Sequence, residues 1–346
     1  MEALQFNSKT KTVSLIKKPV PSVKEGWVLV KVAYSGVCGT DLHVFEGSFP
    51  CSDSPVVMGH EFSGTVTAVG SNVTHLKVGD RVAVDPNSGC DTCDACTGGQ
   101  PHYCEIGGIC RNLGMMNDGG WAEYCLAPAR QVYKLPDNIT FEQGALVEPI
   151  SCVSHGWDML SPVPVGSNIL IIGAGIIGNL WACILHVQGH RKVTVCEPMQ
   201  DRRKIVENLG FGFQVVTPDS LKKLKEKDEK FGFDVVIDCS GNGKAIEDAV
   251  WLLRCGGKLA IFGCAAPETR VSVSPYLLYK NEITIFAVKI NPFSFPKALG
   301  FLESMGARYM DYEKLGVKVF SMKQHKEAFS ELKKGLIAKA VFKIGG

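Results

Sequence analysis

One stretch of this sequence, residues 168–197, constrains the fold more than any other. It has the sequence NILIIGAGIIGNLWACILHVQGHRKVTVCE. A short apolar run ends at Gly173, a G-x-G-x-x-G pattern follows, and residues 176–187 carry a mostly apolar helical pattern. A second β-branched run, residues 193–195, is followed closely by Glu197. This order predicts a strand, a tight turn, a helix and a second strand that ends in an acid.

The same order is typical of a dinucleotide site. Gly173 permits the turn, Gly175 lets the backbone approach a pyrophosphate, and Gly178 lets the helix pack on the strand. Ile177 lies in this turn, where the helix N-terminus offers free N–H groups to the phosphates. Glu197, nineteen residues after Gly178, can accept hydrogen bonds from ribose hydroxyls and would repel a 2′-phosphate. The site is therefore predicted to favour NAD over NADP.

A membrane helix is the alternative for residues 168–187, because this segment holds no formally charged residue and about 20 apolar residues span a bilayer. Three glycines and two asparagines interrupt the segment, however, and strand–helix units continue after it. A buried parallel strand followed by a buried helix face explains the same apolarity. We therefore favour the dinucleotide site.

The rest of the chain divides into two patterns, and its 346 residues suit two domains. Short runs at 27–34, 62–69 and 80–84, separated by turn residues, predict a β-rich barrel or sandwich. From residue 165 onward, helical stretches alternate with six apolar runs, which predicts a doubly wound parallel sheet. The six runs are 169–172, 193–197, 213–216, 234–238, 258–262 and 283–288. Two helices and a last strand, 339–344, are predicted after residue 290.

Composition narrows the class of protein. The chain is 45% hydrophobic and 21% charged with a net charge of +2, so nothing suggests a nucleic-acid or membrane partner. Its first residues, MEALQFNSKTKTVSL, lack the apolar core of a signal peptide. The fourteen cysteines are therefore predicted to be metal ligands or reduced thiols. Five that lie in apolar runs are predicted to be small core residues: Cys183, Cys196, Cys239, Cys255 and Cys264.

The strongest spacing signal is Cys90-x2-Cys93-x2-Cys96-x7-Cys104. Four thiolates on one loop can form the closed tetrahedral shell of a structural zinc. Unpaired or oxidised loop cysteines are the plain alternative, and an iron–sulfur cluster is the alternative metal site. We favour zinc, because nothing in the sequence suggests an electron-transfer partner.

A second, dispersed group consists of Cys38 in GVCGTD, His60 and Glu61 in GHE, and Glu148 in VEP. One thiolate, one imidazole and carboxylates can bind zinc while leaving a coordination position open. Taken singly, a histidine is more often a hydrogen-bonded core residue, and a glutamate before proline is usually a loop acid. Beside a nicotinamide site, the group fits a Lewis acid that lowers the pKa of an alcohol while the cofactor takes the hydride.

These motifs together resemble a known family. GVCGTDLH, GHEFSG, the four-cysteine loop, GGWAEY, GAGIIG and the final β segment are similar to those of the zinc-dependent medium-chain dehydrogenases. The resemblance implies an α/β fold with a GroES-like, β-rich catalytic domain (residues 1–150 with 290–346) and a Rossmann domain (residues 151–289). The active site would lie in the cleft between them. LVEPIS resembles the sorbitol (polyol) dehydrogenase branch, in which glutamate replaces the cysteine of the liver alcohol dehydrogenase type.

The resemblance also implies roles for the dispersed group. Cys38, His60 and Glu61 would ligate the catalytic zinc, and Glu148 would either ligate it or hydrogen-bond to a water at the metal. That the two carboxylates alternate as ligands during turnover is a hypothesis.

Two residues after Cys38, Thr40 matches the hydroxyl that passes the alcohol proton outward, and His43 matches a residue that passes it on. A turn hydroxyl and a half-exposed surface histidine are the plain alternatives. Asp41 is expected to orient the turn at Cys38 and not to act on substrate.

On the cofactor side, Arg202 matches a position that covers the adenine end. Two segments follow the fifth and sixth strands, where mainly backbone contacts to the cofactor are expected; they consist of Phe262, Gly263, Cys264, Ala287, Val288 and Lys289. Polyol dehydrogenases usually have an aromatic or Arg-aromatic pair at 287–289, and often tyrosine where this chain has Phe45. These departures suggest a less hydroxylated or differently configured substrate, and Lys289 could meet a carboxylate, a phosphate or water.

The sequence thus predicts a cytoplasmic oxidoreductase that oxidises a secondary alcohol, foremost a polyol, to a ketone. It would use NAD and two zinc ions per subunit, one catalytic and one structural. L-threonine 3-dehydrogenase-type oxidation of an amino acid is the second hypothesis, and a non-catalytic NAD- and zinc-binding relative is the third. The resemblance implies a homo-oligomer, with a tetramer favoured over a dimer.

Overall fold

A computed structural model describes residues 1–345 of the chain. No helix within that range is long and apolar enough to cross a membrane. The first 160 residues form mostly short strands and a few helices. The strands are β1 (Glu2–Asn7), β2 (Thr12–Lys17), β3 (Trp27–Val37), β4 (Val56–Val57), β5 (Phe62–Val69), β6 (Arg81–Val84), β7 (Tyr124–Pro128) and β8 (Val132–Lys134). The helices are α1 (Gly39–Glu46), α2 (Asp94–Thr97), α3 (Phe141–Gly144) and α4 (Val147–Leu160).

The middle of the chain alternates strands and helices, as predicted. These elements are β9 (Ile169–Ile172), α5 (Ile176–Val187), β10 (Val193–Cys196), α6 (Gln200–Asn208), β11 (Gln214–Val216), α7 (Pro218–Lys227), β12 (Phe233–Asp238), α8 (Gly243–Leu252), β13 (Leu253–Ile261), α9 (Pro275–Asn281) and β14 (Thr284–Ala287). The six strands are all parallel and lie in the order β11-β10-β9-β12-β13-β14. This is the strand order of a dinucleotide-binding sheet, whose ligands bind where the order reverses, beside β9.

The last part of the chain contributes to both halves of the molecule. It contains α10 (Phe295–Tyr309), α11 (Tyr312–Leu315), β15 (Val317–Ser321), α12 (His325–Lys333) and β16 (Lys339–Lys343). Strand β16 pairs antiparallel with β3 and parallel with β15, so the tail completes the first sheet, ordered β15-β16-β3-β5-β6-β8. Helix α10 instead packs on α4 and α5.

The tail contains one strand and one helix more than the sequence predicted. Strand β15 was missed because its buried residues, Val317 and Phe320, are three positions apart and do not alternate as in a half-buried strand. The division into residues 1–150 with 290–346 and 151–289 stays a prediction.

The core continues from one half of the molecule to the other through α4. Leu146, Val147, Ile150 and Val153 are fully buried and belong to the same apolar cluster as the strands β9 and β10. Three of the five predicted core cysteines are not fully buried: Cys239 is half-buried, and Cys255 and Cys264 are exposed. Cys264 lies just beyond the end of β13, and an apolar neighbourhood in the sequence does not bury a residue at the open edge of a sheet.

Candidate active site

The glycine turn has the geometry that a dinucleotide needs. Gly173 has a φ of +99°, which side chains other than glycine rarely adopt. A Cβ atom on Gly178 would lie 2.0 Å from the Gly173 carbonyl oxygen, so helix α5 can approach β9 only with glycine there. A Cβ atom on Gly175 would meet no atom of residues 1–345 within 4 Å. Packing within the protein therefore does not require glycine at 175, and the open space at the N-terminus of α5 fits a bound phosphate.

The acid at the end of β10 is joined to this turn. Glu197 is buried; one carboxylate oxygen accepts from the Ala174 N–H and the other from the Met199 N–H, both at 2.8 Å. Each oxygen keeps a lone pair that could accept from a ribose hydroxyl. Nearby, the Nε atom of Arg202 is buried without a hydrogen-bond partner among residues 1–345.

The remaining predicted cofactor residues lie at the same sheet edge. Phe262, Gly263 and Cys264 follow β13, while Ala287 ends β14 and precedes Val288 and Lys289. The carboxyl edge of a parallel sheet is where ligands of this fold bind. The fold thus brings these segments and the glycine turn to one edge.

A second group forms where β3 and β5 pair. Because Ser35 lies opposite Phe62, and the Gly36 N–H donates to the Glu61 carbonyl oxygen at 2.7 Å, the ends of the two strands are adjacent. This pairing brings one ligand atom from each of Cys38, His60 and Glu61 within 4.8 Å of one another. A thiolate, an imidazole and a carboxylate at this separation fit zinc.

Asp41 organises this group from the first turn of α1. One of its oxygens accepts from the Cys38 N–H at 2.8 Å, and the other lies 3.4 Å from Nδ1 of His60. Burial opposes protonation of His60, but the charges of Asp41 and Cys38 outweigh burial and raise its pKa well above the usual value. A carboxylate that contacts one imidazole nitrogen orients the other nitrogen toward a metal. The position of Asp41 beside Nδ1 therefore also fits zinc binding by His60.

The sequence did not reveal a buried lysine beside this group. Lys339, on β16, is 1% exposed; its Nζ atom forms an ion pair with Glu61 and donates to the Val37 carbonyl oxygen at 3.2 Å. Burial alone would lower the pKa of Lys339, but the charge of Glu61 reverses the shift and raises it. The only sequence feature that points to it is a lysine flanked by alanines in the apolar run of the final strand, and that run predicts no more than a strand.

Glu148 lies in the first turn of α4 and not in a loop. Burial raises its pKa to about 8, although the charge of His60 acts in the opposite direction. The Sγ atom of Cys152, one turn later, donates to Glu148 Oε1 at 3.7 Å. Glu148 is outside the 4.8 Å group formed by Cys38, His60 and Glu61, so in this conformation it is a neighbour of that group.

The predicted proton-relay residues lie on helix α1. Thr40 Oγ1 is 3.6 Å from the Sγ atom of Cys38, while His43 is half-buried one turn further on. Phe45, considered above as a pocket residue, packs its ring against Phe6 at 5.0 Å and Phe329 at 5.1 Å. Phe45 is therefore a half-buried residue that packs against an aromatic cluster.

The four loop cysteines also come together. The sulfurs of Cys90, Cys93, Cys96 and Cys104 all lie within 4.8 Å of one another, and those of Cys90 and Cys96 are 4.0 Å apart. A tetrahedral zinc with bonds of about 2.3 Å separates its sulfurs by about 3.8 Å. A hydrogen bond with Thr92 is the main cause that lowers the pKa of Cys90 to about 5. At Cys93 a backbone hydrogen bond acts in the same direction, but burial and the neighbouring thiols outweigh it and raise the pKa to about 11. The loop therefore fits a structural zinc.

Comparisons with known proteins agree with this geometry. The model of the alcohol dehydrogenase GroES-like domain matches residues 24–137, and the zinc-binding dehydrogenase model matches residues 177–304. D-arabinitol dehydrogenase 1 of Uromyces fabae is 34% identical over 338 residues, which cover 96% of this chain and 94% of that protein. L-threonine 3-dehydrogenase of Caldanaerobacter subterraneus subsp. tengcongensis is 34% identical over 277 residues, 78% of each chain.

Solved structures show the same fold over the whole chain. A provisionally named zinc-binding dehydrogenase of Sinorhizobium meliloti 1021, bound to NADP, has a TM-score of 0.89 and 28% identity, with 99% of this chain and 98% of that one covered. An alcohol dehydrogenase of Escherichia coli CFT073, in complex with NADH, has a TM-score of 0.88 and 25% identity, with 99% of both chains covered.

Fold and site together define a dehydrogenase that combines zinc with a nicotinamide nucleotide. Relatives of this similarity, aligned over nearly the whole chain, make the family certain: the chain belongs to the zinc-dependent medium-chain alcohol dehydrogenases, polyol dehydrogenase-like. The predictions of an α/β fold with a GroES-like and a Rossmann part, of an alcohol dehydrogenase and of nicotinamide and zinc cofactors are confirmed.

Proposed function

We propose that this enzyme oxidises a secondary alcohol of a polyol to a ketone and transfers the hydride to NAD. The observation that carries the proposal is the convergence of half-buried Cys38 with the buried side chains of His60 and Glu61, in a chain whose sheet has a dinucleotide turn. The polyol class is supported by the similarity to a D-arabinitol dehydrogenase. Zinc held by this group would act as a Lewis acid that lowers the pKa of the alcohol.

Each residue of the site has a proposed task. Cys38, His60 and Glu61 hold the catalytic zinc, and Glu148 is the carboxylate that can exchange with Glu61. The hydroxyl of Thr40 accepts the alcohol proton and passes it toward His43, since a hydroxyl can donate and accept at once. The second zinc is proposed to bind the four loop thiolates, which supports a stoichiometry of two zinc ions per chain.

NAD is proposed as the preferred nucleotide. The carboxylate of Glu197 is buried against the glycine turn, where a 2′-phosphate would meet like charge with little solvent screening. Arg202, whose Nε atom lacks a partner among the described residues, is proposed to cover the adenine. Since one similar structure holds NADP, both nucleotides belong in the test.

Three further assignments are proposals of the same kind. The division into residues 1–150 with 290–346 and 151–289 is supported by the pairing of β16 with β3. A homo-oligomer is supported by the edge position of β14 and by Tyr276 and Tyr279 on α9, the preceding helix, which are 71% and 84% exposed; a tetramer is proposed on the family resemblance alone. A cytoplasmic location is supported by cysteines that the site needs as reduced zinc ligands.

Oxidation of L-threonine is the second candidate, favoured by the similarity to a threonine dehydrogenase. It predicts a pocket that binds an ammonium and a carboxylate next to the reacting hydroxyl. A non-catalytic relative is the third, and the complete set of Cys38, Thr40, His60 and Glu61 argues against it.

The decisive experiment measures NADH formation by purified, zinc-loaded protein, with NADP as the comparison. The panel contains sorbitol, xylitol, both arabinitols, ribitol, galactitol, terminal phosphates of these alditols, L-threonine and simple secondary alcohols, and zinc per chain is measured in parallel. Turnover of a polyol with NAD and two zinc ions per chain is the expected result. Turnover of L-threonine alone would move the enzyme to the second candidate. One zinc or none, without turnover, would favour the non-catalytic relative.

A further inference from the structure

Three segments that are far apart in the sequence meet beyond the zinc group. His102 lies in the four-cysteine loop, His155 on α4, and Lys289 just after β14. The rings of His102 and His155 are 5.3 Å apart between centroids. The Nζ atom of Lys289 is 5.9 Å from the centroid of Tyr103, whose ring lies 3.9 Å from that of His102. We call His102, His155 and Lys289 the basic cluster.

The basic cluster has hydrogen-bond donors that the protein does not use. His102 is 7% exposed, and its Nδ1 atom has no hydrogen-bond partner among residues 1–345; a buried polar atom left unpaired is costly. Lys289 forms no ion pair with any carboxylate in the described part of the chain. The carboxylate that acts on His155, Asp158, is already paired with Lys297 at 2.5 Å. Burial lowers the pKa of both histidines, to about 4 for His102. The exposed ammonium of Lys289 is therefore the one positive charge of the cluster, and it has no carboxylate partner among residues 1–345.

Helix α4 connects the basic cluster to the zinc-binding group. Glu148, Cys152 and His155 recur at i, i+4 and i+7 along α4, which puts them on one face of the helix. His155 is therefore about 10 Å along the helix axis from Glu148. That separation is comparable to the length of an extended alditol chain that carries a terminal phosphate.

Lys289 is too far from the expected position of the cofactor's pyrophosphate to pair with it. The pyrophosphate of a bound dinucleotide lies at the N-terminus of α5, beyond the end of β9. Strand β14 is three positions away from β9 in the sheet, across β12 and β13, or about 14 Å at the usual strand spacing. Lys289 thus lies at a part of the sheet edge remote from the pyrophosphate position, and only its backbone is proposed to contact the cofactor.

We propose that the basic cluster binds a phosphate monoester at the end of the substrate remote from the reacting carbon, so that the substrate is a phosphorylated alditol. This inference rests on the proposed function and specifies its substrate. The ammonium of Lys289 supplies the charge, and two imidazoles from other directions supply N–H donors. Three donors suit the three terminal oxygens of a phosphate better than the two oxygens of a carboxylate.

The test compares matched substrates that differ only in the phosphate. We would measure kcat/KM with NAD for ribitol and ribitol 5-phosphate, D-arabinitol and its terminal phosphates, sorbitol and sorbitol 6-phosphate, and galactitol and galactitol 1-phosphate. In at least one pair, kcat/KM is expected to be ten or more times higher for the phosphate ester, about one well-placed ion pair. The corresponding aldonic acids test a carboxylate in place of the phosphate.

Substitutions of Lys289 test whether the preference for the phosphate ester comes from the basic cluster. In Lys289→Gln, the ratio of kcat/KM for the ester to that for the free alditol is expected to fall about tenfold, and Lys289→Arg should retain most of it. The ratio cancels any effect on the cofactor. Lys222→Gln, which removes an exposed lysine of α7, is the matched control and should leave the ratio unchanged. Binding of the same pairs to the protein–NADH complex, measured by calorimetry, gives a readout without turnover.

The outcomes separate the two proposals. Equal or better use of the free alditol, preference for the aldonic acid, or an unchanged ratio in Lys289→Gln would overturn the phosphate site and leave polyol oxidation standing. No turnover of any alditol, together with tight binding of the esters that Lys289→Gln abolishes, would overturn the proposed function and leave the phosphate site standing. No turnover and no preferential binding of the esters would overturn both.

Discussion

At the scale of single residues, the buried ion pair between Lys339 and Glu61 determines where the Glu61 carboxylate lies in the site. Both side chains are almost fully buried, at 1% and 2% exposure. A Cβ atom on Gly36 would lie 2.1 Å from Glu61 Oε2, so the backbone also confines the carboxylate. Lysine and a metal ion would compete for this carboxylate, because both are cations that gain from the same oxygen. Lys339 thus acts as a positioning residue for Glu61.

Replacing Lys339 tests this role. Lys339→Met leaves Glu61 buried without its partner, which costs roughly 3–5 kcal/mol. We expect a loss of this size in the free energy of unfolding of zinc-free protein, measured by urea denaturation, and a smaller loss in zinc-loaded protein, where the metal can neutralise the carboxylate. Lys318→Met removes an exposed ion pair with Glu331 and should cost less than about 1 kcal/mol. Equal losses with and without zinc would contradict the competition between lysine and metal.

At the scale of elements, the unit from β9 to β10 contains three glycines with three different tasks. Gly173 needs its left-handed backbone, Gly178 needs the close contact of α5 with β9, and Gly175 borders open space. Only the first two tasks concern the protein's own fold. A bound phosphate would explain the middle glycine, because a methyl group there would contact no atom of residues 1–345.

Alanine substitutions should therefore separate folding from binding. Gly178→Ala places a methyl group 2.0 Å from the Gly173 carbonyl oxygen, and overpacking of this kind costs roughly 1–3 kcal/mol or more. Gly175→Ala should keep the thermal midpoint within about 2 °C of the wild type but raise the Kd for NADH at least about tenfold. Thermal melts and NADH fluorescence titration measure the two effects. A Gly175→Ala protein with unchanged affinity for NADH would show that no phosphate approaches this turn.

At the scale of the whole molecule, a polar network links the first sheet, α4 and the segment after β14. The side-chain Nδ2 atom of Asn291 donates to Asp85 at 3.1 Å and to Ser151 at 2.9 Å. Its side-chain Oδ1 atom accepts from Nδ2 of Asn87 at 2.8 Å. Burial raises the pKa of Asp85 to about 7, although the hydrogen bonds from Asn87 and Asn291 oppose the shift. The folded protein thus holds a proton at Asp85 that the unfolded chain releases near pH 4.

The stability of the molecule should consequently fall with rising pH in one window. Between about pH 4 and pH 7 the folded state binds more protons at Asp85 than the unfolded state. The contribution of Asp85 to the free energy of unfolding is therefore fully present below about pH 4 and is lost as pH rises through 7. The thermal midpoint of Asp85→Asn should decline less between pH 5 and pH 8 than that of the wild type, by at least about 2 °C. Asp53→Asn, at an exposed position, serves as the control. Parallel curves for wild type and Asp85→Asn would contradict the raised pKa.

Local patterns were enough to predict much of this protein. Each strand and helix of the dinucleotide unit follows from residues within about 30 positions, because the glycine spacing and hydrophobic periodicity act along the chain. The cysteine loop is equally local. Cys38, His60, Glu61 and Glu148 could be named as a group, but only their residue types and the resemblance suggested that they meet.

The sequence by itself determined the order of elements, the dinucleotide turn, the thiolate loop and the family. Tertiary structure alone decided that β16 brings Lys339 to Glu61, that Phe45 packs against Phe6 and Phe329, and that His102, His155 and Lys289 converge. These are contacts between segments about 40 to 300 positions apart. No periodicity along the chain encodes them, because they depend on strand pairing and packing that bury charges and imidazoles at places where local sequence predicts only strand, helix or loop.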